Sequence, residues 1–215
     1  TRLMLSKKDH DGFVEQMVEK LGAMTMGDPL DPATQLGPVV SEGQMKSVLD
    51  YVEIGKGEGA KLACGGARAI GGDLDKGSFV QPTLFTDVTN NMRIAQEEIF
   101  GPVLAVLKYD DVDDAIRMAN DSIFGLSAGV WSQDIDRAKG LASKLRSGTI
   151  WLNEWHMLSE RAPFGGYKQS GIGREFGDEG LNEYTELKTL YVDDAKTRDN
   201  KPWYDMVVAR KNEEA

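Results

Sequence analysis

Residues 103–153 read VLAVLKYDDVDDAIRMANDSIFGLSAGVWSQDIDRAKGLASKLRSGTIWLN, and this stretch decides the fold. Val103–Tyr109 is a nearly continuous apolar run, as in a strand buried on both faces. Asp110 or Asp111 then caps a helix that turns Val112, Ala115, Ile116 and Ala119 inward. Leu126–Trp131 is strand-like. A second helix follows, with Ile135, Ala138, Ala142 and Leu145 inward, Lys144 and Arg146 in its last turn and Gly148 just past its end. Thr149–Asn153 is strand again. The order β-α-β-α-β with short connections predicts an α/β fold: an open, mostly parallel sheet with helices on both faces.

Working outward, a helix follows Asp11 with Phe13, Val14, Met17, Val18 and Leu21 on one face, and His10 is a surface residue at its start. Ser41 begins another helix, in which Met45, Val48, Leu49 and Val52 keep helical spacing and Ser41 with Gln44 has the spacing of a capping box. Short strands are expected at Lys61–Cys64 and Phe79–Phe85. Tyr184–Val192 (YTELKTLYV) reads as a protruding C-terminal strand without a hairpin partner, so it should pair far off or with another chain. A charged tail follows over 193–215.

The net charge of −10, from 35 acidic and 25 basic side chains, speaks against nucleic acid and anionic membranes as partners. No apolar run approaches the ~18 residues of a membrane span. One cysteine, Cys64, allows neither an internal disulfide nor a cysteine zinc cluster, which suits the cytoplasm or another reducing compartment. The chain opens in mid-strand fashion without an initiator methionine and reads as a piece of something longer.

APFGGYKQSGIGREFG (162–177) looks at first like a phosphate-holding loop. No Gly-Lys-Ser/Thr triplet exists, Gly171, Gly173 and Gly177 are spaced one residue too far for a dinucleotide fingerprint, and no strand leads in. The better reading is a tight turn whose glycines allow unusual φ and close backbone approach, holding Phe164 beside the loop Asn153–Leu158. That loop leaves the carboxyl end of a strand, where open sheets bind ligands, and it carries Trp155 and His156. His156 is either a general base or a pocket-lining residue.

Glu97 and Glu98 are adjacent on extended chain, point opposite ways and are no acid/base pair. They are a solvated charge pair, or one of them accepts hydrogen bonds from a vicinal diol. Cys64 has no cation or helix start beside it and reads as a small buried filler. The two histidines make no metal motif.

Three stretches, GDPLDPATQLGPVVSEGQ (27–44), AQEEIFGPVLAV (95–106) and APFGGYKQSGIGRE (162–175), together resemble the aldehyde dehydrogenase superfamily in order and spacing. The resemblance runs from about Thr1 to Val192 and covers the C-terminal part of the family's chain. It implies a catalytic-domain portion over 1–183, an arm strand over 184–192 that makes a homo-oligomer, and the tail 193–215. The family's nucleophilic cysteine lies a few residues before the segment similar to Thr1–Leu5. By resemblance, then, nucleophile and general-base glutamate lie outside this chain, no catalytic residue is assigned within it, and Cys64 is not the nucleophile.

The implied activity is oxidation of an aldehyde to a carboxylic acid with NAD or NADP, through a cysteine thiohemiacetal and thioester. The resemblance makes Glu98 the carboxylate on the nicotinamide ribose and Phe100 the aromatic beside it. Gln44 is a cofactor contact or a helix cap, and Ser47 stands where some members carry lysine. Asn153, Trp155, His156, Leu158 and Phe164 line the aldehyde tunnel. On this reading the isolated chain is inactive. The rival is a non-enzymatic nucleotide-binding or assembly module derived from the fold. Glu98 precedes a strand whereas Asn153 follows one, which in a simple parallel sheet sets them at opposite ends.

Overall fold

The structure, a computed structural model, describes residues 1–194 and 201–207. Its elements are β1 (Arg2–Ser6), α1 (His10–Gly22), α2 (Glu42–Gly57), β2 (Lys61–Cys64), β3 (Thr83–Thr86), α3 (Arg93–Gln96), β4 (Val103–Tyr109), α4 (Val112–Asn120), β5 (Phe124–Gly125), β6 (Ser127–Val130), α5 (Ile135–Ala142), β7 (Thr149–Leu152), β8 (Tyr167–Lys168), α6 (Gly177–Asn182) and α7 (Pro202–Val207). Among the described residues, no helix is long and apolar enough to cross a membrane.

The α/β class and mostly parallel pairing expected from the sequence are present. Val103, Ala105, Val106 and Leu107 are buried, so β4 is covered on both faces. It pairs in parallel with β1 on one side and β3 on the other, and β2 closes the sheet antiparallel to β3. Both edges of β4 are therefore taken. That is why β6 joins β7 in a separate parallel pair and does not extend the sheet of β4, as the β-α-β-α-β reading expects. Phe85, Val48, Val52, Ile94 and Leu107 form the centre of the core.

Two details of helix phase differ from expectation. Helix α1 starts at His10, which puts His10 on the stripe of Val14, Met17, Val18 and Leu21 and leaves Phe13 exposed. His10 is consequently buried, not a surface residue. Helix α5 ends at Ala142, so Gly148 does not cap it. Gly148 instead serves close approach: a Cβ there would lie 1.7 Å from the Gly165 carbonyl oxygen.

Residues 184–192 form no strand, and Tyr184, Leu187, Leu190, Tyr191 and Val192 are exposed. The physical reason is the missing partner: strand hydrogen bonds need a second strand, and among the described residues this segment meets none. Of the tail 193–215, residues 195–200 and 208–215 lie outside the described residues; 202–207 is the short helix α7.

The carboxyl end of α4 ties distant segments together. Arg2 of β1 donates to the carbonyls of Met118 (2.7 Å) and Ala119 (3.0 Å), and Lys168 Nζ donates to those of Asn120 (2.8 Å) and Ser122 (2.9 Å). Gln96 Nε2 donates to the Asp121 carbonyl at 3.0 Å. The Asn120 side chain accepts from the Arg146 N–H and donates to the Lys144 carbonyl. Orphan carbonyls at the negative end of the helix dipole are thus met by two cations.

Because the Gly148–Gly165 contact is backbone against backbone, Gly148→Ala should destabilise the chain by about 2 kcal/mol or more. Gly12 has open space around it, so Gly12→Ala should stabilise by about 0.5–1 kcal/mol. Urea unfolding midpoints test both; equal effects of the two substitutions would contradict the close-approach reading.

Candidate functional site

The Glu98 loop is built from one face of α2. Gln44, Val48, Tyr51 and Gly55, spaced i, i+4, i+7 and i+11, meet it in turn. Gln44 Nε2 donates to the Phe100 carbonyl at 2.8 Å and, more weakly, to that of Ile99 at 3.4 Å. A Cβ on Gly101 would lie 2.5 Å from Val48 Cγ2, so only glycine lets the loop pack this close to α2. Tyr51 Oη donates to Glu97 Oε2 at 2.8 Å, and a Cβ on Gly55 would come within 3.1 Å of the Ile94 side chain. Ser41 caps the helix by accepting from the Gln44 N–H. The reciprocal arm of the capping box is not made, because the Gln44 amide is spent on the loop.

The two adjacent carboxylates have separate lives, as expected for extended chain. Arg93 binds both oxygens of Glu97, at 2.8 and 2.9 Å, and its guanidinium lies over the Tyr51 ring. Hydrogen bonds from Arg93 first, then Tyr51, hold the Glu97 carboxyl below its ordinary value. Glu98 is exposed and makes no hydrogen bond or ion pair among the described residues.

Phe100 has φ 53°, and its side chain is 75% exposed. An aromatic residue in the left-handed region costs about 1–3 kcal/mol and persists where its surroundings fix it. Ile99, buried just before it, and Gln44 on its carbonyl do so here. The Gly101-Pro102 pair that follows marks a turn, but nothing local sets an aromatic residue in the left-handed region.

A second cluster lies beyond the carboxyl ends of β6 and β7. Asn153, at φ 55°, accepts from the Ser132 N–H at 2.7 Å and donates to its carbonyl at 2.8 Å. Its amide therefore clasps two strand ends. Trp155 packs edge-on to Trp151 with centroids 5.1 Å apart and lies 6.4 Å from Trp131. Gly129 of β6 makes room for both exposed indoles: a Cβ would meet Trp131 at 2.5 Å and Trp155 at 3.1 Å. His156, at φ 62°, stacks on Trp151, whose Nε1 donates to the Met157 carbonyl at 2.8 Å. Leu158 is exposed in the same loop. Trp131 and Trp151 escape a sequence reading because it takes both for ordinary strand residues.

The glycine-rich stretch is a turn. Gly171, Gly173 and Gly177 take positive φ, and Gly165 and Gly166 allow close backbone contacts. Its lysine, Lys168, is committed to the α4 carbonyls, and burial first, then Arg146 and Arg2, pushes its pKa down. Phe164 pairs with Glu175 through two backbone hydrogen bonds of 2.8 Å and lines a shallow hollow with Leu126, Gly165 and Gly166.

The structure thus brings some candidates together and separates others. Gln96, two residues before Glu98, and Lys168, four after Phe164, donate to carbonyls of the neighbouring residues Asp121 and Asn120. The Glu98 loop and the Phe164 turn therefore share one end of the fold. Trp155 and His156 follow the carboxyl end of β7, whereas Gly148, against the Phe164 turn, precedes its amino end. Neither the hollow at Phe164 nor the one lined by Asp87, Val88, Asn90 and Met118 includes Glu98, Phe100 or Trp155. Cys64 is half-buried and not the fully buried filler expected, and that partial burial raises its pKa. Among the described residues, no group of three or more His, Cys, Asp or Glu is placed to hold a metal ion.

The chain matches the model described as "Aldehyde dehydrogenase family" over residues 1–190. It is 50% identical over 196 residues to a betaine aldehyde dehydrogenase of Brucella anthropi, covering 91% of this chain and 40% of that protein. A betaine aldehyde dehydrogenase of Brucella melitensis is 48% identical at the same coverage. The fold is similar to the betaine aldehyde dehydrogenase of Staphylococcus aureus in complex with NAD+, with TM-score 0.84 at 43% identity over 85% of this chain and 36% of that one. It is also similar to the NAD+ complex of an aldehyde dehydrogenase from Bacillus cereus, with TM-score 0.86 at 45% identity over 90% and 39%. The chain spans about 40% of the length of these curated relatives.

Glu97 offers a pH test. Its folded-state pKa is lowered, so its clamp contributes stability that is present above the ordinary value of 4.5 and is lost as pH falls through the lowered one. Carboxyl NMR should show Glu97 titrating below 4.5, and Arg93→Ala should move it up. A Glu97 titration at or above the ordinary value would contradict the clamp.

Proposed function

The chain belongs to the aldehyde dehydrogenase family, and from that premise we propose that it supplies cofactor and substrate contacts to an NAD(P)-dependent enzyme that oxidises an aldehyde to a carboxylic acid. The net reaction takes aldehyde, oxidised nicotinamide nucleotide and water to acid, reduced nucleotide and a proton. When bound, the nicotinamide accepts the hydride. In this reading the nucleophilic cysteine and the general-base glutamate lie outside the 215 residues, and residues 1–183 are a portion of the catalytic domain.

The observation that carries the proposal is the pairing of an uncommitted, exposed carboxylate at Glu98 with an exposed ring at Phe100 on a fixed, left-handed backbone. Such a carboxylate accepts two hydroxyl hydrogens of a ribose, and the ring gives a flat apolar surface beside it. The residues present therefore fit the group. Gln44 supports this loop through main-chain carbonyls. Asn153 fixes the loop that carries Trp155, His156 and Leu158, and Phe164 stands on the rigid turn at the Glu98 end.

The substrate reading is an aldehyde bearing a quaternary ammonium group, of which betaine aldehyde is the simplest case. Its support is the similarity to betaine aldehyde dehydrogenases together with the exposed indole faces of Trp131 and Trp155, since a trimethylammonium head is attracted to such faces. The acidic balance of the chain favours a cationic substrate as well. The exposed run 184–192 pairs with a second copy of the protein in this reading, which gives its backbone the partner that it lacks alone.

In the full-length enzyme, Glu98→Gln should raise KM for the nucleotide by about ten- to a hundredfold, the worth of charge-assisted hydrogen bonds, and leave KM for the aldehyde unchanged. A nucleotide KM within twofold of the parent would refute the assignment. Trp155→Ala should raise KM about tenfold for betaine aldehyde but not for its uncharged isostere 3,3-dimethylbutanal; equal effects on both would remove the cationic-substrate reading.

A further inference from the structure

Helix α3 is four residues long and leads straight into the loop of Glu98. So short a helix cannot hold its own direction, because it barely closes one turn. Here α2 grips it at both ends. Glu58, just past the end of α2, accepts from the Arg93 N–H at 2.9 Å. Two turns back along α2, Tyr51 Oη donates to Glu97 Oε2 at 2.8 Å, and between them Gly55 leaves room for Ile94. Arg93 closes the grip: it binds both oxygens of Glu97, and its guanidinium lies 5.7 Å from the centroid of the Tyr51 ring.

Glu97 leaves α3 in extended conformation, with φ −107° and ψ 157°. On extended chain, successive side chains take opposite faces. With Glu97 bound to Tyr51 and Ile99 buried, residue 98 is left to the outer face, where it is exposed. Turning Glu98 inward would break the bonds to Glu97 and bring Ile99 to the surface.

We propose that Glu97 is a positioning residue: held by Arg93 and Tyr51, it fixes the outward direction of the Glu98 carboxylate. That this direction serves a nucleotide rests on the function proposed above.

The paired substitution Arg93→Met with Tyr51→Phe removes both partners of Glu97 and keeps the apolar stem and the ring. In the full-length enzyme it should raise nucleotide KM about tenfold, the worth of a charge-assisted hydrogen bond, with kcat and aldehyde KM unchanged. A residue that acts through another loses its effect once the other is gone. In a Glu98→Gln background the same pair should therefore add less than about twofold. An equal rise in both backgrounds would overturn the proposal, since the clamp would then act on something other than Glu98. So would an unchanged nucleotide KM in the paired variant where Glu98→Gln alone raises it.

Hydrogen exchange keeps the clamp and the nucleotide reading apart. The Glu97 N–H donates to the Arg93 carbonyl at 2.8 Å and the Glu58 N–H to the Ile54 carbonyl at 2.9 Å. In the paired variant the Glu97 amide should exchange about tenfold faster while the Glu58 amide keeps its protection. Unchanged exchange at Glu97, or exchange that rises equally at Glu58, would overturn the clamp. Faster exchange at Glu97 alone, with Glu98→Gln silent on nucleotide KM, would uphold the clamp and remove the nucleotide role of Glu98.

Discussion

The carboxyl end of α4 is the constraint on which the rest of the structure depends. A helix end leaves carbonyls that no intrahelical donor reaches, and here four of five consecutive positions, Met118, Ala119, Asn120 and Ser122, accept from the cations Arg2 and Lys168. The intervening Asp121 accepts from Gln96 and Asn90. Both cations are disfavoured by burial, and Arg2 adds repulsion at Lys168, while the Asp121 charge works in favour of both. Neither cation is free to leave without orphaning the carbonyls. Segments more than a hundred and sixty residues apart in sequence are thereby held at one point.

That point sets the geometry of the candidate site. It joins β1, the loop ahead of Glu98, the connection after α5 and the glycine-rich turn, which all meet at one end of the fold. The α2 stripe then fixes the Glu98 loop from its other side. Glu97, Val48 and Gln44 absorb the local packing and hydrogen bonding, and Glu98 and the Phe100 ring remain available. The aromatic cluster around Trp155 is organised independently, on Gly129 and by the Asn153 clasp, beyond the opposite ends of β6 and β7.

Local signals in the sequence were legible and distant ones were not. The apolar run of β4, the Ser41 cap of α2 and the Asp111 cap of α4 all follow from residue type at short spacing, and each is present. The pairing of β4 with β1 and β3 spans about a hundred and about twenty residues, and such pairing leaves no periodic trace. For the same reason the sequence joined β6 to the wrong sheet. Helix phase failed by one turn at His10 because a histidine does not announce itself as core. Gly148 looked like a helix cap, but its reason lies in a backbone seventeen residues on. At the site, motif resemblance singled out Glu98, Phe100 and Gln44 as candidates, yet nothing local distinguished a Gln44 amide that binds a carbonyl from one that caps a helix or meets a cofactor.

The most direct measurement is hydrogen exchange of the Lys168→Met variant, which removes one cation from the α4 carboxyl end while keeping its apolar stem. If that end frames the site, amides in 89–101 and in 162–177 will open faster together, although Lys168 belongs to only one of the two segments. Faster exchange confined to the few residues around position 168, with the Glu98 loop unchanged, would contradict the account.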